Sequence, residues 1–245
     1  MAKRLLLSLL LAAVAITARA QTHSSGRESI EWCDVWITHA NETSLPRVLL
    51  LGDSIARGYY PEVEKRLAGK AFVNRLATSA FVTDPALLSQ IAMVLDGTKF
   101  DVIHFNNGMH GWKHGEEEYG QGLAVMLETI RKHAPNARLI WASTTSLKQD
   151  TQPRSTTDTK PVESMGADAG KLMLKNDLNQ VSDARINARN AMALRIMEAQ
   201  HIPVDDLHAL TLGHPDLHSD NVHFNKNGID LQAAQVAAEI RKVLP

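Results

Sequence analysis

From residue 46 onward, short apolar runs alternate with longer stretches whose apolar positions recur at helical spacing. Residues 48–51 form a continuous apolar run ended by Gly52, the pattern of a strand buried on both faces. Residues 61–67 read as a helix opened by Pro61, and 71–73 as a second strand. Residues 85–95 read as a helix. Residues 102–105 form a third strand, closed by the turn residues Asn106-Asn107-Gly108. Over 117–133 the apolar residues Leu123, Met126, Leu127 and Ile130 share one helix face. Residues 138–142 are a fourth strand. The stretch 146–177 is polar, holds Pro153, Pro161 and Gly166, and reads as a long excursion of the kind used as a lid or binding loop. A helix over 178–200, a short strand at 202–204 and a polar loop at 205–225 follow. A last helix over 228–243 buries Val236, Ala237, Ile240 and Leu244. Residues 21–45 read as a polar approach segment without an element of its own. Strands alternating with helices predict an α/β fold, with a parallel five-stranded sheet covered on both faces and functional residues at the carboxyl ends of its strands.

Length and composition narrow this picture. The chain of 245 residues suits one domain, expected over 46–245. A formal net charge of -1, with Lys and Arg scattered, gives no electrostatic basis for binding nucleic acid or anionic membranes. Cys33 is the single cysteine, so no intramolecular disulfide is available, and its acidic neighbours Glu31 and Asp34 disfavour a thiolate. Residues 1–20 have the layout of a cleavable secretory signal: Lys3 and Arg4, an apolar run over 5–16, and small residues around Ala18 and Ala20 before Gln21. That run is short for a bilayer span. The expected protein is secreted or periplasmic, with no membrane attachment after cleavage.

Two short segments carry the candidate chemistry. Gly52-Asp53-Ser54 follows the first strand directly, where a strand-to-helix turn exposes a serine hydroxyl and aims helix amides at developing negative charge. An ordinary helix cap gives the same three residues. Asp220-Asn221-Val222-His223 sets a carboxylate three residues before an imidazole. That spacing lets Asp220 hold Nδ1–H of His223 while Nε2 receives the proton of Ser54. Asp216/His218 and Asp206/His208 are competing pairs. His110, His114, His214, His218 and His223, with Asp216 and Asp220, also raise a metal site, although no His-Glu-x-x-His pattern or cysteine pair accompanies them. Arg185 and Arg189 share a helix face, read as solvated or salt-bridged, with binding of an anionic substrate group as the alternative.

Gly52-Asp53-Ser54-Ile55 after the first strand, and Asp220-x-x-His223 before the last helix, resemble the first and last blocks of the GDSL, or SGNH, hydrolases. The resemblance covers about residues 46–243. It implies a three-layer α/β/α, flavodoxin-like fold, serine esterase chemistry, and neither metal nor cofactor. It also implies extra oxyanion donors after the second and third strands. By position these are the Ser79 amide, beside that of Ser54, and the Asn107 side chain, with His110 as the alternative under a shifted alignment. The Asn-Asn-Gly-x-His variant, with residues 140–145, resembles a bacterial subgroup containing carbohydrate acetylesterases. On that basis Asp53, His110 and Trp141 are candidate substrate contacts. Trp112 and Trp141 are candidates to stack on a sugar ring, or else core aromatics. The expected substrate is a small-molecule or carbohydrate ester, with lipid or thioester hydrolysis, or a non-catalytic carbohydrate-binding module, as the other readings.

Overall fold

The computed structural model describes residues 27–148 and 181–245. The expected leader and all but the first three residues of the 146–177 excursion lie outside the described residues. The elements are β1 (Cys33–Trp36), β2 (Arg47–Gly52), α1 (Ser54–Arg66), β3 (Phe72–Thr78), α2 (Pro85–Gly97), β4 (Val102–Phe105), α3 (Glu116–His133) and β5 (Arg138–Ala142). These are followed by α4 (Asp183–Ala199), β6 (Val204–Asp205), α5 (Leu207–Thr211), a 3-10 turn (Pro215–Leu217) and α6 (Lys226–Val243).

The sheet order is β1-β3-β2-β4-β5-β6. The last five strands in that order are parallel. Alternation along each strand feeds two cores. Leu49, Leu51, Ile103, Phe105 and Trp141 pack against α2, α3 and α4. Val48, Leu50, Val102, Ile140 and Ala142 pack against α1 and α6. Numbered among themselves, the parallel strands run 2-1-3-4-5, the flavodoxin-like order. The chain leaves β2 in opposite directions on its two sides, so a crevice opens at the carboxyl ends of β2 and β4. Ser54 begins the helix that leaves this crevice.

The sheet has one strand more than expected. β1 lies in the segment read as unstructured and pairs antiparallel with β3, Cys33 opposite Thr78 and Trp36 opposite Arg75. It is a short edge strand of mixed polarity, held by pairing with β3 rather than by a local pattern. α1 also begins earlier than expected. Pro61 lies inside it, and Asp53 caps it by accepting from the Ile55 amide at 2.8 Å. An interior proline removes one ladder bond; burial of Tyr59, Tyr60 and Val63 offsets it. The polar loop expected at 205–225 contains α5 and the 3-10 turn.

The face of α4 expected to be solvated or salt-bridged carries the expected ion pair at Arg185, but Arg189 is buried and the face clamps the crevice loops. Arg189 is fully buried and donates to the carbonyls of Gly108 (2.9 Å), His110 (2.7 Å) and Gly111 (2.9 Å). Its guanidinium lies 3.9 Å from the centre of the Trp112 ring. Desolvation pulls its pKa down to about 10, which leaves it charged at neutral pH. Arg185 donates to Glu116 (2.5 Å) and to the Trp112 and His114 carbonyls (2.8 and 2.7 Å). Asn190 receives the Thr144 amide and donates to the Thr144 carbonyl, both at 2.8 Å. One helix therefore fixes the loops that follow β4 and β5. Replacing Arg189 by Met strands three buried carbonyls, each worth about 1–3 kcal/mol. The expected loss in urea unfolding is about 3 kcal/mol or more, with Arg189→Lys recovering only part of it.

Candidate active site

At the end of β2 the chain turns sharply through Gly52 and Asp53. A Cβ at Gly52 would come within 2.6 Å of the Ala56 Cβ, so the turn needs glycine to pack on its own helix. Ser54 follows as the first residue of α1, where backbone amides lack intrahelical acceptors and the helix dipole favours negative charge.

The second half of the site is a loop before α6. Asn225 caps that helix by accepting from the Asn227 and Gly228 amides at 3.0 and 3.2 Å. The preceding loop is closed by an isolated bridge between His218 and Phe224 and by Ser219 N–H to the His223 carbonyl at 2.9 Å. Within it, one Asp220 oxygen accepts the Val222 and His223 amides at 2.8 and 2.7 Å. The other accepts Nδ1–H of His223 at 2.9 Å. With Nδ1 so engaged, Nε2 presents its lone pair to the Ser54 hydroxyl at 2.9 Å. Ser54, His223 and Asp220 thus form one hydrogen-bonded line between residues 169 apart in sequence. Partial burial raises the Asp220 pKa, but the His223 side chain and the two amides lower it further and hold it well below the usual carboxylate range.

A small apolar cluster ties these halves together. Met109, Trp112, Ile186 and Val222 are buried in it, and Ile55 packs against it. The immediate neighbours of His110, His223 and Ser54 thereby meet in one place.

The competing Asp/His pairs are structural. His218 is buried against Phe224, with its ring nitrogens 3.2 Å from the His214 and Ser146 carbonyls. Asp206 caps α5 and accepts from Ser143 Oγ at 2.8 Å. His208 Nδ1 lies 3.0 Å from the Thr144 carbonyl. Among the described residues no group of three or more His, Cys, Asp or Glu is arranged to hold a metal. His114 bonds Glu118 at 2.6 Å. Cys33 is exposed on β1, its thiol pKa raised by partial desolvation and by Asp34.

The Ser79 and tryptophan expectations need correction. The Ser79 amide donates to the Trp32 carbonyl at 3.1 Å, and its hydroxyl to Glu31 at 2.7 Å, so pairing with the N-terminal segment consumes the proposed oxyanion donor. The Asn107 amide group gives one hydrogen to the Ala80 carbonyl at 2.8 Å, cross-linking two loops, which leaves its second N–H for the expected role. Trp141 is 1% exposed in the core, with no face for a sugar, and Trp112 is buried under Arg189. Asp53 is 2% exposed; one oxygen caps α1, and the other is buried without a partner. His110 is buried, with Nδ1 2.6 Å from Glu28 Oε1 and Nε2 without a partner. Sequence gives no sign that Glu28 and Glu31 border the site. Glu28 lies 82 residues from His110, and no local spacing signals that pairing.

Residues 50–231 match the sequence profile of the GDSL-like lipase/acylhydrolase family. No curated protein sequence matches the chain. Among solved structures, a putative acylhydrolase from Bacteroides fragilis superposes with a TM-score of 0.61 at 14% identity, covering 83% of this chain and 92% of that one. A carbohydrate esterase family 3 protein from Talaromyces cellulolyticus gives 0.57 at 17% identity, covering 80% and 97%. The C-terminal catalytic domain of the peptidoglycan O-acetyltransferase A of Streptococcus pneumoniae gives 0.51 at 15% identity, covering 82% and 97%.

The depressed Asp220 pKa has a stability consequence of definite sign. A carboxylate ionised more readily folded than unfolded stabilises the fold above its unfolded pKa of about 3.9 and loses that contribution as pH falls toward its folded value. The stability difference between wild type and Asp220→Asn should therefore be flat above about pH 5 and shrink below pH 4. Urea unfolding across pH 3–6 measures it.

Proposed function

The chain belongs to the GDSL-like lipase/acylhydrolase family, and from that premise we propose that it is a serine ester hydrolase working through an acyl-enzyme. The carrying observation is the 2.9 Å contact between Ser54 Oγ and His223 Nε2, backed by the 2.9 Å bond from His223 to Asp220. Ser54 Oγ attacks the acyl carbon and its proton passes to His223 Nε2. Asp220 stabilises the imidazolium and keeps its tautomer. The oxyanion forms against the Ser54 amide at the start of α1 and the loop that follows β4. Collapse of the tetrahedral species breaks the ester C–O bond, and the departing alcohol takes the proton from His223. Water then attacks the acyl-Ser54 ester, with His223 as base, and releases the acid.

The proposed substrates are short-acyl esters, acetyl esters of carbohydrates first. Fold similarity to a carbohydrate esterase and to a peptidoglycan O-acetyltransferase domain supports this class. Its low aromatic content, 5% of the chain, gives little surface for long acyl chains. The proposed location is secreted or periplasmic, from the leader pattern of residues 1–20. No helix among the described residues is long and apolar enough to cross a membrane.

The test is hydrolysis of p-nitrophenyl acetate, butyrate and octanoate by the mature chain and by Ser54→Ala. The expected outcome is turnover falling from acetate to octanoate, and a loss of about 10^4-fold or more in Ser54→Ala. Equal rates for the two proteins would remove Ser54 from the mechanism.

A further inference from the structure

The loop after β4 faces the Ser54 turn, since the Asn106 amide donates to the Leu51 carbonyl at 2.9 Å. Most of its side-chain and turn donors are already committed. Asn106 Nδ2 serves the Ala142 carbonyl (2.7 Å) and Thr144 Oγ1 (3.2 Å). The Gly108 amide serves Asn106 Oδ1 at 3.2 Å, and one of the two Asn107 Nδ2 hydrogens serves Ala80. His110 differs: its side chain is 7% exposed, and Nε2 is buried with no partner. A buried ring nitrogen without a partner carries a desolvation cost unless a ligand completes it.

The other side of the ring fixes its protonation. Glu28, also 7% exposed at its side chain, accepts from Nδ1 at 2.6 Å. A carboxylate only accepts, so the proton sits on Nδ1. Nε2 is then a donor only when the ring is an imidazolium. The charges around the ring favour that state. Glu28 and Glu31 lie on the N-terminal segment and Asp53 on the β2–α1 turn; Arg189 of α4, bound to the His110 carbonyl, is the opposing charge. Burial disfavours the imidazolium, but the Glu28 bond and the three carboxylates outweigh it, and the pKa is raised.

We propose that His110 is the oxyanion donor contributed by the loop after β4, giving Nε2–H from an imidazolium, with Glu28 as the positioning residue that keeps the ring oriented and doubly protonated. The inference rests on the serine-hydrolase reading. It deepens that reading by making turnover depend on two imidazoles in opposite states, His223 neutral and His110 charged, and by making the segment around Glu28 part of the catalytic apparatus. Placement supports it: Met109, Val222 and Ile55, the neighbours of His110, His223 and Ser54, share one cluster. Arg189 fixes the His110 backbone through its carbonyl at 2.7 Å.

Two measurements test this. The first is the nitrogen NMR spectrum of 15N-histidine-labelled wild type, which needs no substrate. The expected result at pH 7 is His110 with both ring nitrogens protonated. A neutral His110 with a bare Nε2 would overturn the proposal. The second is the pH profile of kcat for acetate ester hydrolysis in wild type, Glu28→Gln and His110→Ala. His110 loses its charge as pH rises, so wild type should show an alkaline limb. Glu28→Gln removes the charge that supports the imidazolium and should move that limb down by about one pH unit or more, leaving the acid limb in place. His110→Ala should lower kcat about 100- to 1000-fold with little change in KM. An alkaline limb unmoved in Glu28→Gln would overturn the proposal even if His110→Ala fails to fold. Wild type inactive on every ester would count against the hydrolase reading, while the NMR measurement would still decide the state of His110.

Discussion

The rest of the molecule is organised around one contact, the 2.9 Å hydrogen bond between the Ser54 hydroxyl and the His223 imidazole. Its partners come from opposite ends of the domain. Ser54 is placed by a fully buried strand that ends in Gly52 and by the helix that Asp53 caps. His223 is placed by a loop whose shape is held locally, through Asp220, the Ser219 amide and the Asn225 cap. An error of about 1 Å in either would break the bond. The Val222–Met109–Trp112–Ile186 cluster supplies the constraint between the two halves, because close-packed side chains resist such shifts.

A second layer of the structure serves the same end through backbone carbonyls. The loops that leave β4 and β5 make no regular ladder, so their carbonyls need donors from elsewhere. Arg189, Arg185 and Asn190 of α4 supply them to the loops after β4 and β5. A guanidinium suits this role because its fixed fork reaches several acceptors at once and stays charged when buried. Gly108 and Gly111 complete the fit. A Cβ at Gly108 would overlap Thr144 Oγ1, and Gly111 has φ +68 with Phe81 packed where a side chain would lie. The loop is therefore rigid without a regular element of its own.

Much of this was legible in the sequence, and the exceptions have a common cause. The buried parallel strands were readable from continuous apolar runs such as 48–51, and the helices from periodicity in 117–133 and 228–243. Ser54, Asp220 and His223 were readable because each lies in a short motif with its own local geometry. β1 was not, since its pairing with β3 depends on partners some 40 residues away. Position alone makes Ser79 a donor, yet its amide is spent on the Trp32 carbonyl. The burial of Arg189 was not legible, because i,i+4 spacing cannot show that three carbonyls wait opposite the face. Trp141 looked available because it stands near a strand end, but its side chain points into the core between the sheet and its helices. Each of these misses is a hydrogen bond or packing contact between segments far apart in the chain; the early start of α1, capped by Asp53, is the local exception.

The central claim is that Ser54 is an activated nucleophile and not simply a helix residue near a histidine. The most direct measurement is covalent labelling of the mature chain by a fluorophosphonate, read by intact mass and by fragment mapping, in wild type and His223→Ala. The account predicts a single modification mapped to Ser54, slowed at least about 100-fold in His223→Ala because the base is gone. Labelling at another residue, or at Ser54 with equal rates in both proteins, would contradict it.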